Sequence, residues 1–215
     1  MTAPIRIVLV DDQVLFRAGI RMVIDSQPDL EVVGEASDGR EGIDVVRATR
    51  PDLVLMDVRM PVMDGLTATA EILSEPAPPR VVVLTTFDLD EAAARAIQRG
   101  ASGFLLKDSE PEFLLSAVRT VHAGSAVIAA EATRTLFAHI ADGGAEPVPA
   151  SYTSLTDRER EIFALAAAGL SNAEIAEREF LSEATVKTHI SRVLTKLALR
   201  DRVQLVVFAF RHGLA

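Results

Sequence analysis

The first part of the chain repeats one pattern that few folds accommodate: a short apolar run, then a stretch of helical character. The runs are Ile5–Val10, Leu53–Met56, Val81–Leu84 and Ser102–Leu106, and Glu31–Ala36 reads as a second strand after the first of them. Ala18, Ile20, Val23 and Ile24 form a helical stripe after the first. Helical character returns at Gly42–Ala48, Leu66–Leu73, Glu91–Arg99 and Pro111–His122. Strands that are apolar throughout must be covered on both faces, and their alternation with helices makes them parallel. The expected fold is α/β, a doubly wound five-stranded parallel sheet. In such sheets functional residues gather at the carboxyl ends of the strands.

The pattern then changes. Glu131–Ala141 carries Ala132, Leu136, Phe137 and Ile140 at helical spacing, and 142–150, DGGAEPVPA, reads as a linker. From Leu155 onward every periodic segment is helical. The domain plan is therefore 1–124, a linker with a helix over 125–150, and a small all-α domain over 151–215. Charge follows the same division. The net formal charge of −9 is made of −8 in residues 1–124, −2 in 125–150 and +1 in 151–215. An acidic module joined to a neutral one suggests two different tasks. The absence of cysteine excludes disulfides, thiolate zinc sites and cysteine nucleophiles. No apolar run approaches the length of about 18 residues that spans a bilayer. The start, MTAPIR, runs straight into a strand and lacks the plan of a signal peptide, so a cytoplasmic protein without membrane contact is expected.

The acidic module carries its chemistry at strand ends. Asp11 and Asp12 follow the first strand, Asp57 the third and Thr85 the fourth, and Lys107 closes the fifth. One aspartate at a strand end merely caps a helix or starts a turn. Three carboxylates gathered at one edge repel one another unless a hard cation lies between them, and oxygen ligands of this kind suit Mg²⁺. A carboxylate beside such an ion can accept a phosphoryl group as an aspartyl phosphate. Lys107 can pair with the added charge, and the Thr85 hydroxyl can donate to a phosphoryl oxygen.

The motifs LVDDQVLFRAG, LMDVRMPVMDG, LTTF and GASGFLLKD closely resemble the CheY-like receiver domain of bacterial two-component response regulators, over roughly residues 4–123. The resemblance implies Asp57 as phosphoacceptor and a sensor histidine kinase as donor. It implies Asp12 as a direct Mg²⁺ ligand, Asp11 as its partner through water, and the backbone carbonyl of Arg59 as a further ligand beside Asp57. It also implies Thr85 as the switch hydroxyl, Phe104 as the switch aromatic and Lys107 as the phosphate-pairing lysine. Many receivers have proline after that lysine, often behind a cis bond. Here Asp108 follows, and a cis bond would be of the costly non-proline kind.

In the second domain, Thr156 with Glu159 and Ser171 with Glu174 have the spacing of capping boxes. Ser182 opens a longer helix to Leu197, and Asp201 or a near neighbour opens a last one. Two short helices with a tight turn before a longer polar helix match a helix-turn-helix. Val186, Ile190, Val193, Leu194 and Leu197 form one inward stripe. Lys187, Thr188, Ser191, Arg192 and Thr195 fall outside it. Small polar residues let a helix approach base edges, while lysine and arginine contact phosphates or guanine.

The segment LTDREREIFALAAAGLSNAEIAEREFLSEATVKTHISRVLTKL closely resembles the LuxR-type helix-turn-helix, over roughly residues 153–213. With the receiver, it places the chain in the NarL/FixJ-like class of regulators. The resemblance implies a recognition helix in the major groove, with Lys187, Thr188 and Ser191 facing the bases and Thr185, His189, Arg192 and Lys196 nearer the backbone. It implies dimerisation through the last helix, with Val203, Val206, Val207 and Phe210 as candidates. The implied partners are promoter DNA, a histidine kinase, RNA polymerase and, after phosphorylation, a second copy.

Two rival readings are weaker. A Mg²⁺-dependent phosphatase of the haloacid dehalogenase type needs a second aspartate two residues after the nucleophile, where this chain has Arg59. A receiver acting only as a dimerisation scaffold would not need the intact set of site residues. Motifs of P-loops, serine hydrolases and HExxH metalloproteases are absent.

Overall fold

A computed structural model of the chain describes residues 3–85, 99–124, 127–128 and 146–214. It contains, in chain order, β1 (Ile5–Val10), α1 (Val14–Asp25), β2 (Leu30–Ala36), α2 (Gly39–Thr49), β3 (Leu53–Asp57), α3 (Gly65–Leu73), β4 (Arg80–Thr85), β5 (Gly103–Leu106), α4 (Pro111–His122) and β6 (Val127–Ile128). There follow α5 (Ala150–Thr153), α6 (Asp157–Ala167), α7 (Asn172–Glu179), α8 (Glu183–Leu197) and α9 (Arg202–Arg211). The chain divides into two compact units, Met1–Leu136 and Phe137–Ala215. The helices expected around Glu91–Arg99 and Glu131–Ala141 lie outside the described residues, apart from Arg99 itself.

All strand pairs are parallel, in the order β2-β1-β3-β4-β5-β6. The chain runs outward from β1 to β2, then returns past β1 to β3. The crevice between the carboxyl ends of β1 and β3 is thus the switch point of the sheet, where open α/β folds bind ligands. The five expected strands are all present, and β6 adds a two-residue edge beyond β5, pairing Gly103 with Val127 and Phe104 with Ile128. Two residues are too few to show any hydrophobic period, so the sequence carries no signal for this strand.

Alternation along β1 divides the core. Ile7 and Leu9 join Leu53, Leu55, Val82, Leu84 and Leu105 on one face, against Ile24 of α1 and Leu114, Val118 and Val121 of α4. Val10 turns to the opposite face and meets α2, where a Cβ on Gly42 would lie 2.9 Å from the Val10 side chain. Helix α2 starts three residues earlier than its apolar spacing suggests, because Asp38 caps it, accepting from the backbone of Arg40 at 2.8 Å and Glu41 at 3.0 Å.

The helical unit is built on its caps. Thr156 and Ser171 both form complete capping boxes, with Glu159 and Glu174. Ser182 caps α8 through the Thr185 amide, and Asp201 caps α9 through the Gln204 amide. The four cap residues expected from sequence are therefore all in place. Ile162, Phe163, Ile175, Val186, Ile190, Val193, Leu197 and Leu205 share one core. Tyr152, Phe163 and Phe208 meet around it, with the Tyr152 and Phe163 rings edge-on at 5.3 Å.

Candidate functional site

The acidic cluster sits at the switch point. Asp11 follows β1, and Asp57 is the last residue of β3; the two side chains are almost wholly buried, whereas Asp12 beside them is exposed. One carboxylate oxygen from each of Asp11, Asp12 and Asp57 lies within 4.8 Å of the others. Lys107, just past β5, places its ammonium 2.7 Å from Asp11 Oδ2 and 3.0 Å from Asp57 Oδ2. Its backbone amide donates to the Thr85 carbonyl at 2.8 Å, so the end of β4 fixes where the lysine begins. Thr85 is buried at the same edge. The peptide bond after Lys107 is trans.

Each group is held from a different direction. Asp11 Oδ1 accepts from the Gln13 amide at 2.8 Å, which leaves Oδ2 to face Lys107. The Arg17 guanidinium donates to the Asp11 carbonyl and also to Glu35 at 3.0 Å. The Phe16 ring lies under the Lys107 ammonium, 4.8 Å from centroid to nitrogen. Behind Asp57, the Gly65 amide donates to the Val58 carbonyl at 3.0 Å. A Cβ on Gly65 would lie 1.8 Å from the Asp57 carbonyl oxygen, so only glycine fits there. The Asp64-Gly65 pair is thus more than a turn: Asp64 caps α3 through the Thr67 amide, and Gly65 lets α3 start against the acidic strand.

The electrostatics are unbalanced. Burial pushes the Asp57 carboxyl above its ordinary range, Asp11 adds to that, and Lys107 opposes both. Three carboxylates face one ammonium, which leaves a deficit of two positive charges if all three are ionised. A divalent ion with hard oxygen preference matches that deficit and that donor set. Arg59, the expected source of a ligating carbonyl, lies on the loop after β3 and lines a groove of about 640 Å³ with Val58, Met60, Asp64 and Arg99. Phe104 is fully buried in β5, opposite Val83 of β4.

The second candidate site is the outer face of α8. Lys187, Thr188, Ser191 and Arg192 are exposed there, as expected. Thr185 and His189 are half-buried, and His189 Nδ1 is buried without a hydrogen-bond partner among the described residues. Lys196 is exposed on the same helix, and its ammonium lies 2.6 Å from Glu159 and 3.2 Å from the Ser154 carbonyl, so it also joins α8 to the start of α6. Glu159 is buried within its capping box, and an ammonium in reach of that carboxylate is held by charge.

In the last helix Val203, Val206 and Val207 are buried, and Phe210 is half-buried. Arg202, which sequence reasoning missed, reaches from α9 to the carbonyl of Leu170 and to Asn172 Oδ1 at 2.9 Å. Burial pushes its guanidinium below the ordinary range, with Glu174 opposing. It thereby closes the turn between α6 and α7.

Two family models cover this chain. The response regulator receiver domain matches residues 7–119, and the family described as bacterial regulatory proteins, luxR family, matches residues 153–209. The chain is a LuxR-family response regulator. The transcriptional regulatory protein LiaR of Bacillus subtilis is 39% identical over 98% of this chain and 99% of its own length. The nitrate/nitrite response regulator protein NarL of Escherichia coli is 39% identical over 97% of this chain and 96% of its own. The crystal structure of the response regulator ChrA, from a heme-sensing two-component system, is 36% identical over the whole of both chains, with a TM-score of 0.54. This response regulator thus joins a receiver to a LuxR-type DNA-binding domain and is a transcriptional regulator of a two-component system. No helix among the described residues is long and apolar enough to cross a membrane.

Proposed function

We propose that this response regulator is switched by phosphorylation of Asp57 by a sensor histidine kinase and then binds promoter DNA as a homodimer through α8. The observation that carries the reading is the buried meeting of Asp57, Asp11 and Lys107 at the switch point of the sheet. Asp11, Asp12, Asp57 and the Arg59 carbonyl would hold Mg²⁺, which when bound supplies positive charge to the phosphoryl oxygens. An Asp57 carboxylate oxygen forms a bond to phosphorus while the phosphorus–nitrogen bond of a kinase phosphohistidine breaks, and the imidazole leaves with its electron pair and takes a proton. Lys107 exchanges part of its pairing with Asp57 for the phosphoryl oxygens. The Thr85 hydroxyl donates to one of them, and Phe104 repacks behind Thr85.

Such a switch biases two arrangements of the receiver surface and so changes how often two copies meet. Two half-sites bound together multiply a modest affinity, which a DNA module of net charge +1 needs. Lys187, Thr188 and Ser191 face the bases, and Thr185, His189 and Arg192 the backbone edge. The protein works in the cytoplasm, residues 1–124 and 151–215 act as separate modules, and RNA polymerase is a further partner at the promoter. The test is labelling with acetyl phosphate and Mg²⁺, with the modified residue located by mass spectrometry. Wild type is expected to carry phosphate on Asp57 and Asp57→Asn none. Equal labelling of the variant refutes the assignment.

A further inference from the structure

Phe180 breaks two rules of local stability at once. It is 96% exposed, more than any other large apolar side chain among the described residues. It also ends α7 in the left-handed region, at φ 53° and ψ 43°, where a bulky side chain is strained and glycine is favoured. The helix end itself is ordinary, since the Leu181 amide closes it onto the Ala176 carbonyl at 2.9 Å, and glycine would serve it better. An apolar ring held in water on a strained backbone does nothing for this fold. Such violations concentrate where a site is built for a partner.

The position of the ring names the partner. Phe180 stands two residues before Ser182, the N-cap of α8, and α8 carries the exposed Lys187 and Thr188. A recognition helix meets base edges with its N-terminal residues, which places the residue just ahead of its cap at the mouth of the major groove. The apolar feature of that groove wall is the thymine C5 methyl group. The exposed acids Glu177 and Glu183 on either side disfavour a phosphate beside the ring and favour a base edge. Glu179 is already paired with Arg158.

Resting on the reading of α8 as the recognition helix, we propose that Phe180 is a specificity residue that packs on a thymine methyl at the edge of each half-site. Full-length protein treated with acetyl phosphate and Mg²⁺ would first select its preferred duplex from a randomised library. Phe180→Ala is expected to bind the selected duplex about tenfold more weakly. It should also lose a thymine preference that wild type shows at a half-site edge. Replacing that thymine by deoxyuridine removes only the methyl, and should weaken wild type while leaving Phe180→Ala unchanged. Phe180→Gly should melt a few degrees higher than wild type while binding as weakly as Phe180→Ala, because it relieves the strain and removes the ring. Undiminished binding by Phe180→Ala, or a wild type indifferent to deoxyuridine, overturns the proposal. Lys187→Ala tests the underlying reading separately, and unchanged binding by that variant sinks the recognition-helix assignment.

Discussion

The receiver and the helical domain each bury a carboxylate beside a lysine, and they do so for opposite ends. In the receiver, Asp57 lies near Lys107 with Asp11 crowding in, and burial pushes its carboxyl up. In the helical domain, Glu159 meets Lys196 and the Thr156 amide, which hold its carboxyl down to about 2. The first site carries more acid than it can balance, and the second is satisfied. A satisfied buried pair steadies a scaffold, whereas an unbalanced one is poised to take a cation and a phosphoryl group. The working residues are placed accordingly. Those of the receiver are mostly buried and held from several sides, and those of α8 stand on an open face that the Glu159–Lys196 pair helps to orient.

Four substitutions would break or sharpen this contrast. Gly65→Ala should act most strongly. Its methyl would strike the Asp57 carbonyl, a backbone atom that cannot step aside, so about 3 kcal/mol of receiver stability should be lost in urea titrations. A loss below about 1 kcal/mol would mean that the start of α3 can move away from the acidic strand. Lys196→Ala comes next, leaving Glu159 without its cation, and should cost the helical domain about 2 kcal/mol. It should alter DNA binding only in proportion to that loss. A variant that folds with undiminished stability yet binds DNA poorly would make Lys196 a DNA contact first and a scaffold residue second.

Acid should act on the helical domain in a defined window. The Glu159 carboxyl is depressed in the folded state, so its stabilisation is complete above the ordinary glutamate value of 4.5 and is lost as pH falls from there towards about 2. Glu159→Gln should flatten that part of the stability–pH curve of the helical transition. The smallest stability effect belongs to Arg192→Ala. As an exposed residue it should shift unfolding by no more than about 0.5 kcal/mol, yet reduce the salt dependence of DNA binding by about one unit of slope. An unchanged slope would remove Arg192 from the backbone contacts.

The sequence made local features legible and left those formed across distance hidden. The inner strands appear as apolar runs because a covered parallel strand has no polar face, and Thr156, Ser171, Ser182 and Asp201 announce their helices because capping acts within a turn. Asp11, Asp12, Asp57, Thr85 and Lys107 stand out because one topology gathers strand ends. The Lys196 ion pair is hidden because its partner Glu159 lies 37 residues away, and nothing in the period of α8 marks it. Arg202 was missed for the same reason, its acceptors lying about 30 residues earlier. Phe16 and Arg17 sit in LFRAG without any spacing that ties them to Lys107 or Asp11.

The central claim is that the buried charges of the receiver are maintained for chemistry at the expense of stability. Asp57→Asn in full-length protein, unfolded by urea in Mg²⁺-free buffer near neutral pH, tests it most directly, with Glu159→Gln as the paired control. Removing a charge whose ionisation burial disfavours should stabilise the receiver transition, read as a higher urea midpoint. The control should destabilise the helical transition. A receiver that loses stability on Asp57→Asn, as the helical domain does on Glu159→Gln, would contradict the account and make both pairs structural.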